Sequence, residues 1–168
     1  MNGLNDSNNL NNPSNLNNTN NLNELLSEYN SIFKLIDKSY HDAVRAMGLS
    51  DGVFWILYTL REVNHEMTQT EIVNIIQFPP QTINSALMKL KAEGSVEFRI
   101  SRDRRKKLVC LTEEGIRLAE KTVDRVMYAE MKSMGELTCE EQELFLGLFR
   151  KHTNLLKQSL ARLGKENG

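Results

Sequence analysis

The stretch RISRDRRKKLVCLT (Arg99–Thr112) places six basic side chains in the nine positions from Arg99 to Lys107, in a chain whose formal net charge is −1. Like charges repel one another, so such a run sits on a solvated face, and its use depends on the element that carries it. Both flanks have strand character. In SVEFRI, Val96, Phe98 and Ile100 alternate on one face, and in KLVCL, Leu108, Cys110 and Leu111 are apolar. The intervening SRDRRKK is therefore expected at the tip of a β-hairpin.

Two short helices are expected before the hairpin. In MTQTEIVNII, Thr68 and Glu71 have capping-box spacing and Met67 with Ile72 the spacing of a hydrophobic staple, which specifies the start of one helix twice. QFPP ends it near Ile76, because proline cannot continue a helix and restricts the residue before it. In QTINSALMKLKAEG, Ile83, Ala86, Leu87 and Leu90 share one face, and Gly94 tolerates the positive φ of a helix end. Two short helices across a tight turn, followed by a basic hairpin, make a winged helix-turn-helix. The fold class expected is mainly α with a small β-hairpin wing.

Helical periodicity extends on both sides. Leu22, Leu25, Leu26, Tyr29, Ile32, Phe33, Ile36, Tyr40, Ala43 and Val44 recur at three- and four-residue steps until Gly48. LSDGVF restarts the chain, with Ser50 as a cap and Leu49 with Phe54 as a staple, for a helix to about Val63. After the hairpin, Thr112 caps a helix that continues to about Met134, Gly135 breaks it, and LTCEEQ repeats the capping-box spacing at Thr138 and Glu141. The last helix has a broad apolar face of Leu144, Phe145, Leu148, Phe149, His152, Leu155, Leu156 and Leu160. One small winged domain cannot bury that face as well as the first helix.

Composition narrows the function classes. A chain of 168 residues with 40% apolar side chains supports one core. The longest apolar run, VFWILY (Val53–Tyr58), is far below the ~20 residues of a membrane span, so no membrane partner is expected. Cys110 and Cys139 form no CxxC pair and have no histidine at ligand spacing, which suits a reducing cytoplasm and suggests no metal or cofactor. HEMTQ starts like a zinc-protease motif at His65 and Glu66, but Gln69 occupies the second histidine position, so no enzyme is expected. Twelve of the first 23 residues are Asn, too little apolar surface to offset the entropy of ordering them. The divisions expected are a disordered Asn-rich tail over 1–21, an N-terminal helix over 22–47, the winged lobe over 48–112, C-terminal helices over 113–163 and a flexible tail over 164–168.

The local charge tells more than the average. From Gln77 to Lys107 there are eight Lys or Arg against three acids, a balance of +5, which leaves −6 for the rest of the chain. Phosphate binding responds to the local patch. Arg102, Arg104 and Arg105 at the hairpin tip suit the narrow minor groove of double-stranded DNA, where negative potential is concentrated. On the second short helix, Gln81, Thr82, Asn84 and Ser85 offer polar groups for the major groove; Gln81 and Asn84 have the chemistry for paired hydrogen bonds to adenine. The alternative for these four is a solvated face. Thr68, Gln69, Thr70, Lys89 and Lys106 are candidate phosphate contacts, Thr68 having the alternative of a cap alone.

Leu49-Ser50 opening a helix, MTQTEI, LKAEG and DRRKKLVCLTEEG, with helices on both sides, resemble the multiple-antibiotic-resistance regulator (MarR) family of bacterial transcription factors over about residues 22–160. The Asp103-x-Arg105 pair and the LT-x-x-G of Leu111, Thr112 and Gly115 carry most of the resemblance. Pro79 and Ser85 depart from it, standing where many members have a serine cap and a basic residue. The resemblance implies that Arg105 enters the minor groove while Asp103 braces the wing; a turn residue or a counter-charge is the alternative for Asp103. It also implies a homodimer through the terminal helices, with Leu26, Phe33, Leu148, Phe149, His152 and Leu156 at the interface, and two recognition elements facing pseudo-palindromic half-sites. Repression relieved by a small-molecule effector of unknown identity, bound between the dimer arm and the DNA-binding lobe, is implied as well. Phe33, Trp55 and Tyr58 are candidates for lining that cleft, with core packing the favoured use. The alternative from another class is a protein-interaction module without sequence-specific DNA binding.

Overall fold

A computed structural model describes residues 13–101 and 106–163. The element order is α1 (Pro13–Ala46), α2 (Asp51–Val63), β1 (Met67–Thr68), α3 (Gln69–Ile76), α4 (Pro80–Ala92), β2 (Val96–Ile100), β3 (Lys107–Leu111), α5 (Glu113–Lys121), α6 (Val123–Gly135) and α7 (Cys139–Leu163). The mainly helical winged architecture matches the sequence reading. Three strands, in the order β1-β3-β2 and antiparallel throughout, form the sheet where a hairpin alone was expected. β1 is two residues long and carries no period for a sequence reading to detect.

The lobe is built around α2. Val53, Phe54, Ile56, Leu57 and Leu60 are all buried, and α2 packs against α1, α3, α4, α5 and α6. The apolar run VFWILY is continuous because this helix is enclosed on most sides, with only Trp55 and Tyr58 half-buried. Opposite it, α4 contributes Ile83, Ala86, Leu87 and Leu90, the face read from the sequence. Arg61 on α2 grips Asp124 on α6 in a two-pronged ion pair, Nε to Oδ1 at 2.9 Å and a terminal guanidinium nitrogen to Oδ2 at 2.7 Å. That hydrogen bonding holds the Asp124 carboxyl below its usual range.

Three expectations are corrected. Helix α1 begins at Pro13, not Leu22, so residues 13–21 extend the helix instead of belonging to a tail. An apolar period marks only the part of a helix that packs, whereas lengthening an existing helix needs no new nucleus, and proline suits the first helical position. The tail expectations for residues 1–12 and 164–168 fall outside the described residues. Ser50 does occupy the N-cap of α2 with extended backbone, but its side chain makes no capping bond; Asp51 supplies the favourable negative charge in the first turn. The helix after Thr112 does not run unbroken to Met134. It divides at Thr122, whose backbone leaves helical values (φ −126°, ψ −79°) and whose hydroxyl donates to the Leu118 carbonyl at 2.7 Å, a back-bond that competes with the helix ladder.

The LT-x-x-G motif locks the sheet to α5. The Thr112 hydroxyl donates to the Gly94 carbonyl at 2.6 Å and accepts from the Gly115 amide at 3.1 Å, while the Thr112 amide donates to the Ser95 carbonyl at 3.1 Å. Gly115 is pressed so closely on Ser95 that an added Cβ would lie 1.9 Å from the Ser95 carbonyl oxygen. Gly115→Ala is therefore expected to cost about 1–3 kcal/mol or more. Gly135→Ala, where a Cβ meets nothing within 4 Å, is expected to stay within about 0.5 kcal/mol of the parent. Urea unfolding midpoints compare the two; equal midpoints would remove the close approach as a constraint.

Candidate nucleic-acid interface

The recognition candidate α4 is positioned by an unusual turn. Gln77 ends α3 in the left-handed region (φ 60°), and its side-chain amide donates to the Asn74 carbonyl, so the tight turn is made without glycine. Pro79 then stands at the N-cap and Pro80 in the first turn of α4, with the Thr82 amide donating to the Pro79 carbonyl at 2.9 Å. A proline here needs no donor and enters the helix with φ already set.

Gln81, Thr82, Asn84 and Ser85 are all exposed, but they do not point alike. Taking 100° per residue, Gln81, Asn84 and Ser85 lie on the side away from the buried stripe. Thr82 turns toward the start of α2, where its methyl would lie 3.6 Å from a Cβ on Gly52. The Ser85 hydroxyl donates to the Gln81 carbonyl at 2.9 Å, which leaves it an acceptor. Met88, 42% exposed on the same outward face, was not singled out from the sequence because a lone apolar residue resembles core. Its thioether suits contact with a thymine methyl.

The candidate phosphate contacts separate similarly. Thr68 and Glu71 form the full capping box: the Thr68 hydroxyl donates to the Glu71 carboxylate at 2.8 Å and accepts from the Glu71 amide at 3.2 Å. Its one donor is spent, which favours the capping alternative. Gln69 is half-buried and Thr70 exposed in the first turn of α3. Because β1 pairs Thr68 with Leu108, the root of the wing lies beside this turn, and the Lys106 charge helps hold the Glu71 carboxyl low, after the hydrogen bonds from Thr68. Lys89 is exposed, 3.9 Å from Glu93.

Not every cation of the run is available. Arg99 is bound to Glu97 (Nε to Oε1, 2.7 Å) and Glu66 (2.9 Å), so it closes the sheet and adds little to the external field. Lys107 lies over the Phe98 ring, 4.2 Å from its centroid. Arg102, Asp103, Arg104 and Arg105 are outside the described residues.

No family model matches the sequence. The chain is 29% identical over 126 residues to an uncharacterised HTH-type transcriptional regulator, YwoH of Bacillus subtilis, covering 75% of this chain and 91% of that protein. Among solved structures it superposes on NMB1585, a MarR family regulator from Neisseria meningitidis, with a TM-score of 0.69 at 21% identity, over 82% of this chain and 97% of that one. The fold is that of the MarR regulators. A second MarR-fold neighbour, MepR of S. aureus, was solved as a complex with DNA; it matches with a TM-score of 0.63 at 18% identity, over 89% of this chain and 99% of MepR.

Within this MarR fold the terminal helices carry an apolar surface that the chain leaves open. Leu26, Phe33, Leu148, Phe149 and Leu156 are each more than 40% exposed, and α7 has no buried residue. Some of the expected interface side chains meet each other within the chain. Phe33 stacks with Phe149 at 6.3 Å between centroids, and Tyr29 lies 4.8 Å from His152.

A cavity of about 570 Å³ separates α1 from the lobe and reaches Ile75, Ile76 and Phe78 at the turn before α4. Phe33, Trp55 and Tyr58 are on its wall, although Trp55 and Tyr58 also pack on the core, so both readings of these aromatics apply. Behind the wall, Glu130 of α6 accepts hydrogen bonds from Tyr40 of α1 and, at 2.7 Å, from Tyr58 of α2. No sequence signal joins these three, which lie 72 and 90 positions apart. The cysteines are free: Cys139 is exposed, and Cys110 is buried with its thiol pushed up to about 11, first by burial and then by Glu66. That disfavours a reactive thiolate at Cys110.

Burial, and then the Glu130 contact, raise the Tyr40 phenol to about 12 and the Tyr58 phenol further. A raised pKa means the stabilisation is present below the free tyrosine value near pH 10 and is lost as pH rises through about 12. A spectrophotometric titration of phenolate should show two late-ionising tyrosines in the parent. Glu130→Gln should bring both midpoints down; unchanged midpoints would contradict the role given to Glu130.

Proposed function

We propose that the chain is a MarR-type transcriptional regulator, a homodimer that binds double-stranded DNA at a pseudo-palindromic operator in the cytoplasm and acts as a repressor. The observation that carries this reading is the outward polar face of α4 beside a basic wing root, on a fold whose neighbour MepR was solved with DNA. In this reading α4 enters the major groove, where Gln81 and Asn84 read base edges, Met88 contacts a methyl and Ser85 accepts. Thr70, Gln69, Lys89 and Lys106 fix the position on phosphates, which adds affinity without sequence preference. In this reading Arg105 enters the minor groove from a wing that Asp103 braces, with Arg102 and Arg104 as further wing contacts, and the groove's potential favours arginine there.

Dimerisation supplies the second half-site. The leucines of α1 and α7 stand exposed along both helices of the single chain, and in this reading a second copy buries them. A twofold pair would set two α4 helices about one DNA turn apart. Regulation enters through the cavity between α1 and the lobe: an effector held there touches the turn that orients α4, and it shifts DNA affinity only if it binds the two arrangements unequally.

Binding to labelled promoter fragments across a salt series tests this directly. Affinity should fall steeply with salt and depend on sequence, and Arg105→Ala should weaken it by about 1–3 kcal/mol while the dimer persists on size exclusion. An Arg105→Ala protein that binds like the parent would remove the wing from the interface. Indifference to DNA at low salt would favour the protein-interaction alternative.

A further inference from the structure

The cavity between α1 and the lobe has an electrical character that limits what it accepts. Three carboxylates border it, Asp37 from α1 and Asp51 and Glu62 from α2, and among the described residues no lysine or arginine is on its wall. The nearby Lys38 is turned to Asp42. The one basic ring on the wall, His41, is engaged with Asp51, its Nδ1 lying 3.0 Å from Oδ2. Asp37 and Glu62 line the same wall, and no basic partner holds either among the described residues.

The inner wall is aromatic. Tyr40, Trp55 and Tyr58 form a contiguous group, with centroids 5.5 Å apart for Tyr40 and Trp55 and 5.3 Å for Trp55 and Tyr58. Both tyrosine hydroxyls donate to the Glu130 carboxylate, which pushes electron density into their rings and places a further negative charge behind them. Ring faces of this kind attract cations, most strongly where water is excluded. An anionic aromatic acid would meet three carboxylates on this wall, with Glu130 behind it, and no lysine or arginine among the described residues. The volume, about 570 Å³, suits a small organic molecule.

We infer that the cavity between α1 and the lobe binds a lipophilic organic cation, its charge held between the Tyr40–Trp55–Tyr58 rings and the Asp37 and Glu62 carboxylates. This rests on the regulator reading only for its consequence, which is that the cation is the effector. Occupancy at Ile76 and Phe78 then bears on the turn before α4.

Trp55 is the one tryptophan of the chain and sits on the cavity wall, so its fluorescence reports occupancy with no DNA present. Tetraphenylphosphonium and tetraphenylborate, matched in shape and opposite in charge, are titrated in sodium buffer against the full chain. The phosphonium should quench Trp55 saturably and the borate should not. A double variant, Asp37→Asn with Glu62→Gln, should lose about tenfold in phosphonium affinity while keeping its helical circular dichroism. Equal quenching by both ions, quenching by neither, or a double variant that holds the phosphonium as the parent does overturns the assignment. Each of those results leaves DNA binding to be judged separately on promoter fragments, and failure of the parent to bind DNA leaves the cation site standing.

Discussion

The enclosure of α2 is the constraint on which the rest of the molecule depends. A 13-residue helix whose Val53, Phe54, Ile56, Leu57 and Leu60 are buried must be covered on several faces, and five other helices do so. Covering it places α4 on one side with its polar face outward. It brings α6 near enough for Arg61 to clasp Asp124, and it sets α1 across the remaining side with a cavity between. The site geometry follows from filling space around one apolar cylinder.

Against that packed lobe, α1 and α7 form a different kind of surface. Their aromatic residues meet within the chain, Phe33 on Phe149 and Tyr29 on His152, yet the leucines on the same helices stay open. The arm joins the lobe's core only near the end of α1, through Val44. A polar link is added by Glu130 on α6, which holds Tyr40 of the arm and Tyr58 of the lobe at once. Any molecule in the cavity lies against the rings of that clasp.

Much of this was legible in the sequence because it depended on neighbours along the chain. The capping boxes at Thr68 and Thr138, the buried stripe of α4, the positive φ at Gly94 and both long wing strands follow from local spacing. What was not legible depends on partners distant in sequence. The tyrosine clasp on Glu130, the Arg61–Asp124 pair and the contact of Gly115 with Ser95 carry no local period. The charge run misleads in one respect for the same reason: Arg99 reads as part of the basic tip but is neutralised by Glu66, 33 positions away. The α1 start and the break at Thr122 were missed because an apolar period shows where a helix packs, not where its backbone begins or bends.

The central claim is that two copies hold their α4 helices at the spacing of successive major grooves. The most direct measurement is the distance between spin labels on α4 in the paired chains, using Ala92→Cys with Cys139→Ser so that Cys110, buried, is the only other thiol. On operator DNA the account predicts a single narrow distribution at roughly 30–40 Å, about one helical turn of the duplex. Absence of any dipolar signal between chains, or a broad distribution that operator DNA does not narrow, would contradict it.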